Sequence, residues 1–321
     1  MCIAKNRLIG VVSALVLVAC GSASDGGPND EPGGPGETPD DDMTPGEFVP
    51  TDHGGYMLGG QVEDGEPIAP NGIVHHEGED DVGTIEDPGA AEPSAGDGCE
   101  VMAGVVRDFQ ASNVEGGHPD FEAYTGESPT PGLVAAQLGA DGKPVYTAEC
   151  DTVLNPALCP YGQQTTSKSA FDSWYRTTDG VNIARALYLE FVEEDGVYTF
   201  GSNSFFPLDD AGYGNSDYER THNYGFTTEL HAKFEYNGGE HFTFTGDDDL
   251  WVFINRKLAI DLGGLHASAS ANLDLDSQAA ALGLELGQVY TFDLFHAERH
   301  IADSNFRVDT TLAFTECGGT E

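Results

Sequence analysis

The sequence predicts an all-β protein of the sandwich or barrel class, in which one folded domain follows a long polar segment. Short apolar runs recur through the second half of the chain, and clusters of glycine, asparagine and aspartate separate them. The clearest runs are "GVYTFGSNSFF", "HAKFEYN", "HFTFTG", "LWVFIN", "KLAIDL", "VYTFDLFH" and "FRVDTTLAF". Many short strands with turn signals between them favour a β-sandwich or a closed barrel.

Residues 1–19 have the pattern of a secretion signal. Two basic residues precede the apolar run Leu8 to Ala19, which is too short to span a membrane comfortably. The ending "LVAC" resembles the lipobox of bacterial lipoproteins, which implies that Cys20 becomes the lipidated first residue. Because Gly21 rather than aspartate follows, the resemblance implies no retention at the inner membrane and a place at the outer membrane or cell surface. A plain signal peptide with an incidental cysteine is the alternative interpretation.

Residues 20–98 are predicted to form a disordered acidic linker. From residue 21 onwards this segment holds 20 acidic residues, no lysine and no arginine, and it is rich in glycine and proline. It has too few aromatic and branched side chains to offset the entropy cost of ordering, and its like charges repel one another.

Residues 99–317 have the size of one large domain, and residues 318–321 form a tail. Two short helices are expected within the domain, at 130–138 and at 167–178, the second capped by Ser167. The chain carries a net charge of −42, and 11 basic residues stand against 35 acidic ones after residue 98. This balance argues against nucleic acid and anionic membrane surfaces as partners, and it suits cations and neutral ligands.

Four cysteines remain in the exported chain beyond Cys20, and an even number favours two disulfides. Sequence alone allows three pairings. We favour Cys99–Cys317, which brackets the whole predicted domain, together with Cys150–Cys159 across a short proline-containing loop.

Three consecutive carboxylates, Asp247, Asp248 and Asp249, stand at the start of the apolar run Leu250 to Ile254. Adjacent carboxylates raise one another's pKa unless a positive charge offsets them. Oxygen ligands suit a hard cation such as Ca²⁺. A solvated acidic strand end is the alternative.

The stretch "GDDDLWVFINRKLAIDLGGLH" resembles the fibro-slime domain of exported bacterial and slime-mould proteins, within the wider protective-antigen-type β-sandwich that includes flocculin-type adhesins. Further stretches resemble the same domain in the expected order: "VVRDFQASNVEGGHPDFE", "FFPLDDAGYGN", "THNYGFTTELHAKFEYNGGE" and "FHAERHIADSNFRVDTT". The resemblance implies a jelly-roll type sandwich over nearly all of residues 99–317.

In the calcium-dependent sugar-binding members of the wider family, two consecutive aspartates joined by a cis peptide hold Ca²⁺. The resemblance places that pair at Asp247 and Asp248, and Asp249 would complete the shell. The second-loop ligand it suggests is Asn305, with Glu298 near it.

Three other patterns have competing interpretations. His296 and His300 flank Glu298, a spacing that could hold zinc on a helix, but they follow a strand pattern that favours salt bridges. Residues 274–285 have the length of an EF-hand loop but lack its central glycine, which favours a turn into a helix. The pair Asp209-Asp210 stands among aromatics that could line a sugar platform or pack in the core.

These observations predict an exported, surface-displayed lipoprotein that contacts the membrane only through the lipid on Cys20. Its predicted activity is binding, not catalysis: calcium-assisted recognition of carbohydrate on a cell surface or in extracellular matrix, as an adhesin does. A structural slime or matrix protein, in which Ca²⁺ only stabilises the fold, is the main alternative, and a surface glycosidase is the third hypothesis.

Overall fold

Two antiparallel sheets pack face to face and form the predicted β-sandwich. The computed structural model describes residues 49–64, 68, 99–147, 162–215, 222–301 and 303–318. The strands of this part of the chain are β1 Val49–Pro50, β2 Gly55–Gln61, β3 Val101–Phe109, β4 Asn182–Glu190, β5 Val192–Glu194, β6 Val197–Ser202, β7 Phe226–Tyr236, β8 His241–Gly246, β9 Asp249–Ile254, β10 Lys257–Leu262, β11 Ala269–Asp274, β12 Gln288–Glu298, β13 Phe306–Thr310 and β14 Phe314–Glu316.

The nine-stranded large sheet has the order β1-β2-β4-β3-β7-β12-β9-β10, and β14 also pairs with β7. The five-stranded small sheet has the order β11-β8-β13-β6-β5. Inward-facing side chains of both sheets form the main core, which includes Val252 and Leu294 of the large sheet and Phe244 and Phe306 of the small one. Core positions alternate along their strands, as residues on one face of a strand must.

The segment between β3 and β4, called here the covering segment (residues 110–147 and 162–181 of it are described), packs on the outer face of the large sheet. Its Phe171 and Trp174 meet Trp251, Phe253 and Phe295 in a second apolar cluster. Strand β9 is therefore apolar on both faces because one face meets the small sheet and the other meets the covering segment.

The helix prediction for 130–138 is wrong. These residues form an irregular segment in which Leu133 and Val134 are buried in the outer cluster, and isolated bridges link Val134 to Tyr146 and Gln137 to Lys257. Tertiary packing of the apolar side chains outweighs a weak local helix preference.

Two helices occur within the described residues. Helix α1, Lys168–Asp172, lies inside the range predicted as 167–178 but is shorter, and Ser167 caps it by accepting from the Ala170 amide. Helix α2, Leu275–Leu282, follows β11 directly, as the turn-into-helix interpretation of 274–285 expects.

The predicted disordered linker over 20–98 needs a correction, because the large sheet begins within it. Strand β2 pairs with β4, and Val62 and Ile68 are buried in a cluster with Tyr188. The composition of the whole segment concealed this short run, which lacks charge between Gly55 and Gln61 and satisfies its backbone on the β4 edge. The linker residues other than 49–64 and 68 lie outside the described part of the chain.

The predicted disulfide between Cys99 and Cys317 is present, with a sequence separation of 218 residues. The signal residues 1–19, Cys20 and the Cys150–Cys159 pair lie outside the described residues. Within the described part, no helix has the length and apolar character needed to cross a membrane.

Candidate functional site

The acidic triplet, Asp247 to Asp249, lies where the chain crosses from one sheet to the other. Strand β8 of the small sheet ends at Gly246, and β9 of the large sheet begins at Asp249. Gly246 pairs with Phe306 of β13, and a side chain at Gly246 would collide with the carbonyl of Asn305. The glycine therefore allows the close approach that brings the loop before β13 against the triplet.

The peptide between Asp247 and Asp248 is cis, as the family resemblance implies. Asn305 holds the Asp247 carboxylate with two hydrogen bonds, from its backbone N to Oδ1 at 2.6 Å and from Nδ2 to Oδ2 at 2.8 Å. The carbonyl oxygen of Asp247 accepts a third, from His296 Nε2 at 2.8 Å. The structure thus brings Asn305 to the aspartate pair.

Asp248 is held by the loop that follows β12. Its Oδ2 accepts from the backbone amides of Arg299 at 3.0 Å and His300 at 3.1 Å. Asp247 and Asp248 are each 6% exposed, so both carboxylates are largely withdrawn from bulk water.

Asp249 makes a different set of contacts. Its Oδ2 accepts from Arg299 Nε at 2.7 Å and its Oδ1 accepts from the Gly264 amide at 2.5 Å. The Arg299 guanidinium also stacks on Trp174 of the covering segment, 4.4 Å from the ring centre. Both Asp249 oxygens are therefore engaged in contacts that hold the protein together.

Glu298 is a buried acid beside Asp247 and Asp248. It is 0% exposed, and no donor of the described residues is directed at either carboxyl oxygen, although Asp248 lies close enough to accept the proton of a neutral Glu298. The hydroxyl of neighbouring Ser304 donates instead to the Phe205 carbonyl at 2.7 Å. An unsatisfied buried carboxyl of this kind is costly unless a proton or a cation supplies what the protein does not.

Burial dominates the electrostatics of the three acids Asp247, Asp248 and Glu298. It raises the pKa of Asp248 to about 7, with the charges of Asp249 and Asp247 adding to the rise and Arg299 opposing it. Burial also raises the pKa of Asp247, and it raises the pKa of Glu298 well above its usual range, helped by Asp248 and Asp247. A group of acids held near one another with raised pKa values is typical of a site that receives positive charge.

A cleft of about 170 Å³ opens beside Asp247 and Asp248. Its other lining residues are Gly126, Leu265, His266, Ala267, Ser268, His300 and Asp303. Gly126 belongs to the covering segment, so this segment supplies one wall of the cleft.

The remaining candidate sites resolve into structural contacts. His296 faces the interior of the sandwich, whereas His300 lines the cleft and its Nδ1 lies 3.1 Å from Glu122 Oε2, so the two histidines are not placed as zinc ligands. Asp274 caps α2 by accepting from the Ser277 amide. Asp209 bonds His222 Nδ1 at 2.6 Å.

Within the described residues, no group of three or more histidine, cysteine, aspartate or glutamate side chains is arranged to hold a metal ion by itself. A cation at the cleft would therefore need oxygen donors of other kinds, such as amide oxygens, besides the aspartate pair.

Sequence reasoning missed two parts of the site. The wall contributed by the covering segment has no local signal. The inward orientation of His296 could have been found by counting, because positions 296 and 298 alternate along β12 and must face the same interior as Leu294.

The chain is similar in sequence to a known domain family and to several known proteins. The sequence profile of the PA14 domain matches residues 208–321. The chain is 40% identical to psiC of Dictyostelium discoideum over 210 residues, which are 62% of this chain and 39% of psiC. It is 36% identical to psiR of the same organism over 228 residues, which are 65% of this chain and 22% of psiR. The chain thus spans well under half the length of these relatives.

Among solved structures, the A domain of epithelial adhesin 9 from Candida glabrata, in complex with Galβ1-4GlcNAc, is 14% identical. Its match covers 66% of this chain and 85% of that one, with a TM-score of 0.22. The PA14 domain of the antifreeze protein MpAFP is 10% identical over 69% of this chain and 86% of that one, with a TM-score of 0.25.

Proposed function

We propose that this protein binds carbohydrate through a Ca²⁺ ion held at the Asp247–Asp248 cleft, as a surface adhesin. The observation on which the proposal depends is the convergence of Asn305 and the buried acid Glu298 on the aspartate pair, which itself lines one cleft. The PA14 profile match covers all four residues.

The side chains present fit a hard cation. Asp247, Asp248 and Asn305 would hold it, because carboxylate and amide oxygens are the donors that Ca²⁺ prefers. Glu298 lies behind the pair and supplies further negative charge once it is ionised. When bound, Ca²⁺ would neutralise the pair and accept hydroxyl oxygens of a sugar.

The charge of the cleft favours a neutral sugar. Asp303 lies on its wall beside the aspartate pair, and it adds to the raised pKa of Asp247 through its charge. An anionic glycan would meet this negative field, whereas a neutral glycan would not.

A structural role for the cation is the second candidate function, and one observation favours it. Both aspartates are only 6% exposed, which leaves little of their surface for a ligand to reach. In this case Ca²⁺ would stabilise the crossing between the sheets, and the contacts of a slime or matrix protein would lie elsewhere.

Calorimetric titration with CaCl₂ and a glycan array with and without chelator separate the two candidates. The adhesin predicts Ca²⁺ binding and chelator-sensitive glycan binding, both lost in Asp248→Asn and both kept in the matched control Asp172→Asn on α1. Ca²⁺ binding and a chelator-sensitive melting temperature without any glycan binding would favour the matrix role. A wild-type protein with no Ca²⁺ affinity would contradict both.

Export and attachment through a lipid on Cys20 belong to the same proposal and are supported by the sequence pattern of residues 1–20. Mass spectrometry of the mature N-terminus is the test. A Cys20 peptide with diacylglycerol attached supports the anchor, and an unmodified N-terminus contradicts it.

A further inference from the structure

His296 has an unusual position for a histidine. It is fully buried on β12, and the rings of Phe205, Phe226, Phe244 and Phe306 surround it, the last with its centre 5.2 Å away. An aromatic hydrocarbon would suit such surroundings better, because burying a polar ring costs free energy unless it is hydrogen-bonded.

Only one side of the ring has a partner within the described residues. Nε2 lies 2.8 Å from the carbonyl oxygen of Asp247, whereas Nδ1 has no hydrogen-bond partner. A carbonyl oxygen can only accept, so Nε2 carries the proton and donates it. The one polar contact of this buried ring is thus made with the backbone of the aspartate pair.

The hydrogen bond from His296 adds to those that hold the turn at Asp247 and Asp248 in place. Asn305 fixes the Asp247 carboxylate, and the amides of Arg299 and His300 fix the Asp248 carboxylate. The hydrogen bond from His296 is the one described contact from a side chain of the interior to the backbone that joins the two aspartates. Groups behind the ligands of a metal orient them in this way.

We propose that His296 is a positioning residue that orients Asp247 and Asp248 for cation binding. This inference rests on the proposed function. It assigns the histidine a role in affinity rather than in the stability of the core.

Three variants of the full chain test the role. His296→Gln keeps an amide donor at the position of Nε2, whereas His296→Asn places its amide one bond short of it. His296→Phe fills the space between the surrounding phenylalanine rings but has no donor. Two quantities are measured for each: the Ca²⁺ dissociation constant by calorimetry, and the unfolding midpoint in the presence of EDTA.

We expect His296→Phe and His296→Asn to weaken Ca²⁺ binding by about 10- to 100-fold, the usual effect of losing an orienting group. His296→Gln should bind Ca²⁺ with an affinity within about threefold of wild type. The unfolding midpoints of the variants in EDTA should not follow the order of their Ca²⁺ affinities. The Asn and Gln variants keep the comparison valid if the Phe variant does not fold.

Two results would contradict the proposal, and they differ. Wild-type protein without Ca²⁺ affinity removes the proposed function itself. Wild-type protein that binds Ca²⁺, with His296→Asn and His296→Phe binding equally well, leaves the function in place and refutes the positioning role alone.

Discussion

Arg299 and Asp249 form a fully buried ion pair, with Nη2 of the arginine 2.6 Å from Oδ2 of the aspartate and both side chains 0% exposed. The pair lies on the outer face of the large sheet, under the covering segment. Breaking a buried pair leaves an uncompensated charge, which costs more than the pair contributes when intact.

Asp249→Ala should therefore lower the free energy of unfolding by about 3–5 kcal/mol, because the Arg299 charge loses its main partner. Denaturant unfolding measures the change. Asp172→Ala is the matched control, since it breaks the exposed pair with Lys168 and should cost less than about 1 kcal/mol. Equal losses in the two variants would contradict the importance of the buried pair.

The network around His231 predicts a loss of stability in alkaline solution. Burial alone would lower the pKa of His231, but hydrogen bonds to Asp293 and Glu229 outweigh it and raise the pKa to about 9. The charged form is favoured in the folded protein, so the contribution is complete below the unfolded pKa of about 6.5 and disappears as the pH rises through 9.

Unfolding free energies measured from pH 6 to pH 10 test this sign. Wild type should lose stability across the interval, by an amount on the order of 3 kcal/mol from this group. His231→Gln should be less stable at pH 6 and show a flatter profile. A variant with the same slope as wild type would place the titration elsewhere.

The Cys99–Cys317 disulfide closes a loop with a separation of 218 residues. Replacing both cysteines with alanine should lower the free energy of unfolding by about 5 kcal/mol in the chain-entropy model, because the unfolded chain regains its freedom. Unfolding in denaturant measures the loss. Wild type treated with reductant should show the same decrease, and an unchanged midpoint would contradict the prediction.

The strand β2 and the residues after it are predicted to stabilise the large sheet. Val62→Asp places a charge at a position 5% exposed and should cost several kcal/mol, whereas Val49→Asp, at 47% exposure, should change stability by less than about 0.5 kcal/mol. Thermal unfolding compares the two. Similar melting temperatures would show that the segment before residue 99 contributes little to the fold.

Much of the fold could be predicted from the sequence because strand patterns are local. The run Leu250 to Ile254, apolar at every position, predicts a strand covered on both sides, and the structure has this strand under both the small sheet and the covering segment. Val62 and Ile68 show the limit, since two apolar residues in an acidic segment give no periodic signal and are buried only by packing with side chains of β3 and β4.

The candidate site divides in the same way. The adjacency of Asp247 and Asp248, and their place at the end of an apolar strand, are properties of the sequence. The role of Asp249 differs from theirs because side chains alternate along a strand. This alternation turns the Asp249 carboxylate towards Arg299.

The sequence by itself determined a sandwich of short strands, three adjacent aspartates at a strand end, and a disulfide between Cys99 and Cys317. Only the tertiary structure decided which residues meet. Asn305, His296 and Gly126 are far from the triplet along the chain, and the first two reach it because β8, β12 and β13 meet at one crossing between the sheets, while Gly126 reaches it from the covering segment. Contacts between distant segments depend on how strands pair and pack, and that information is spread over the whole chain.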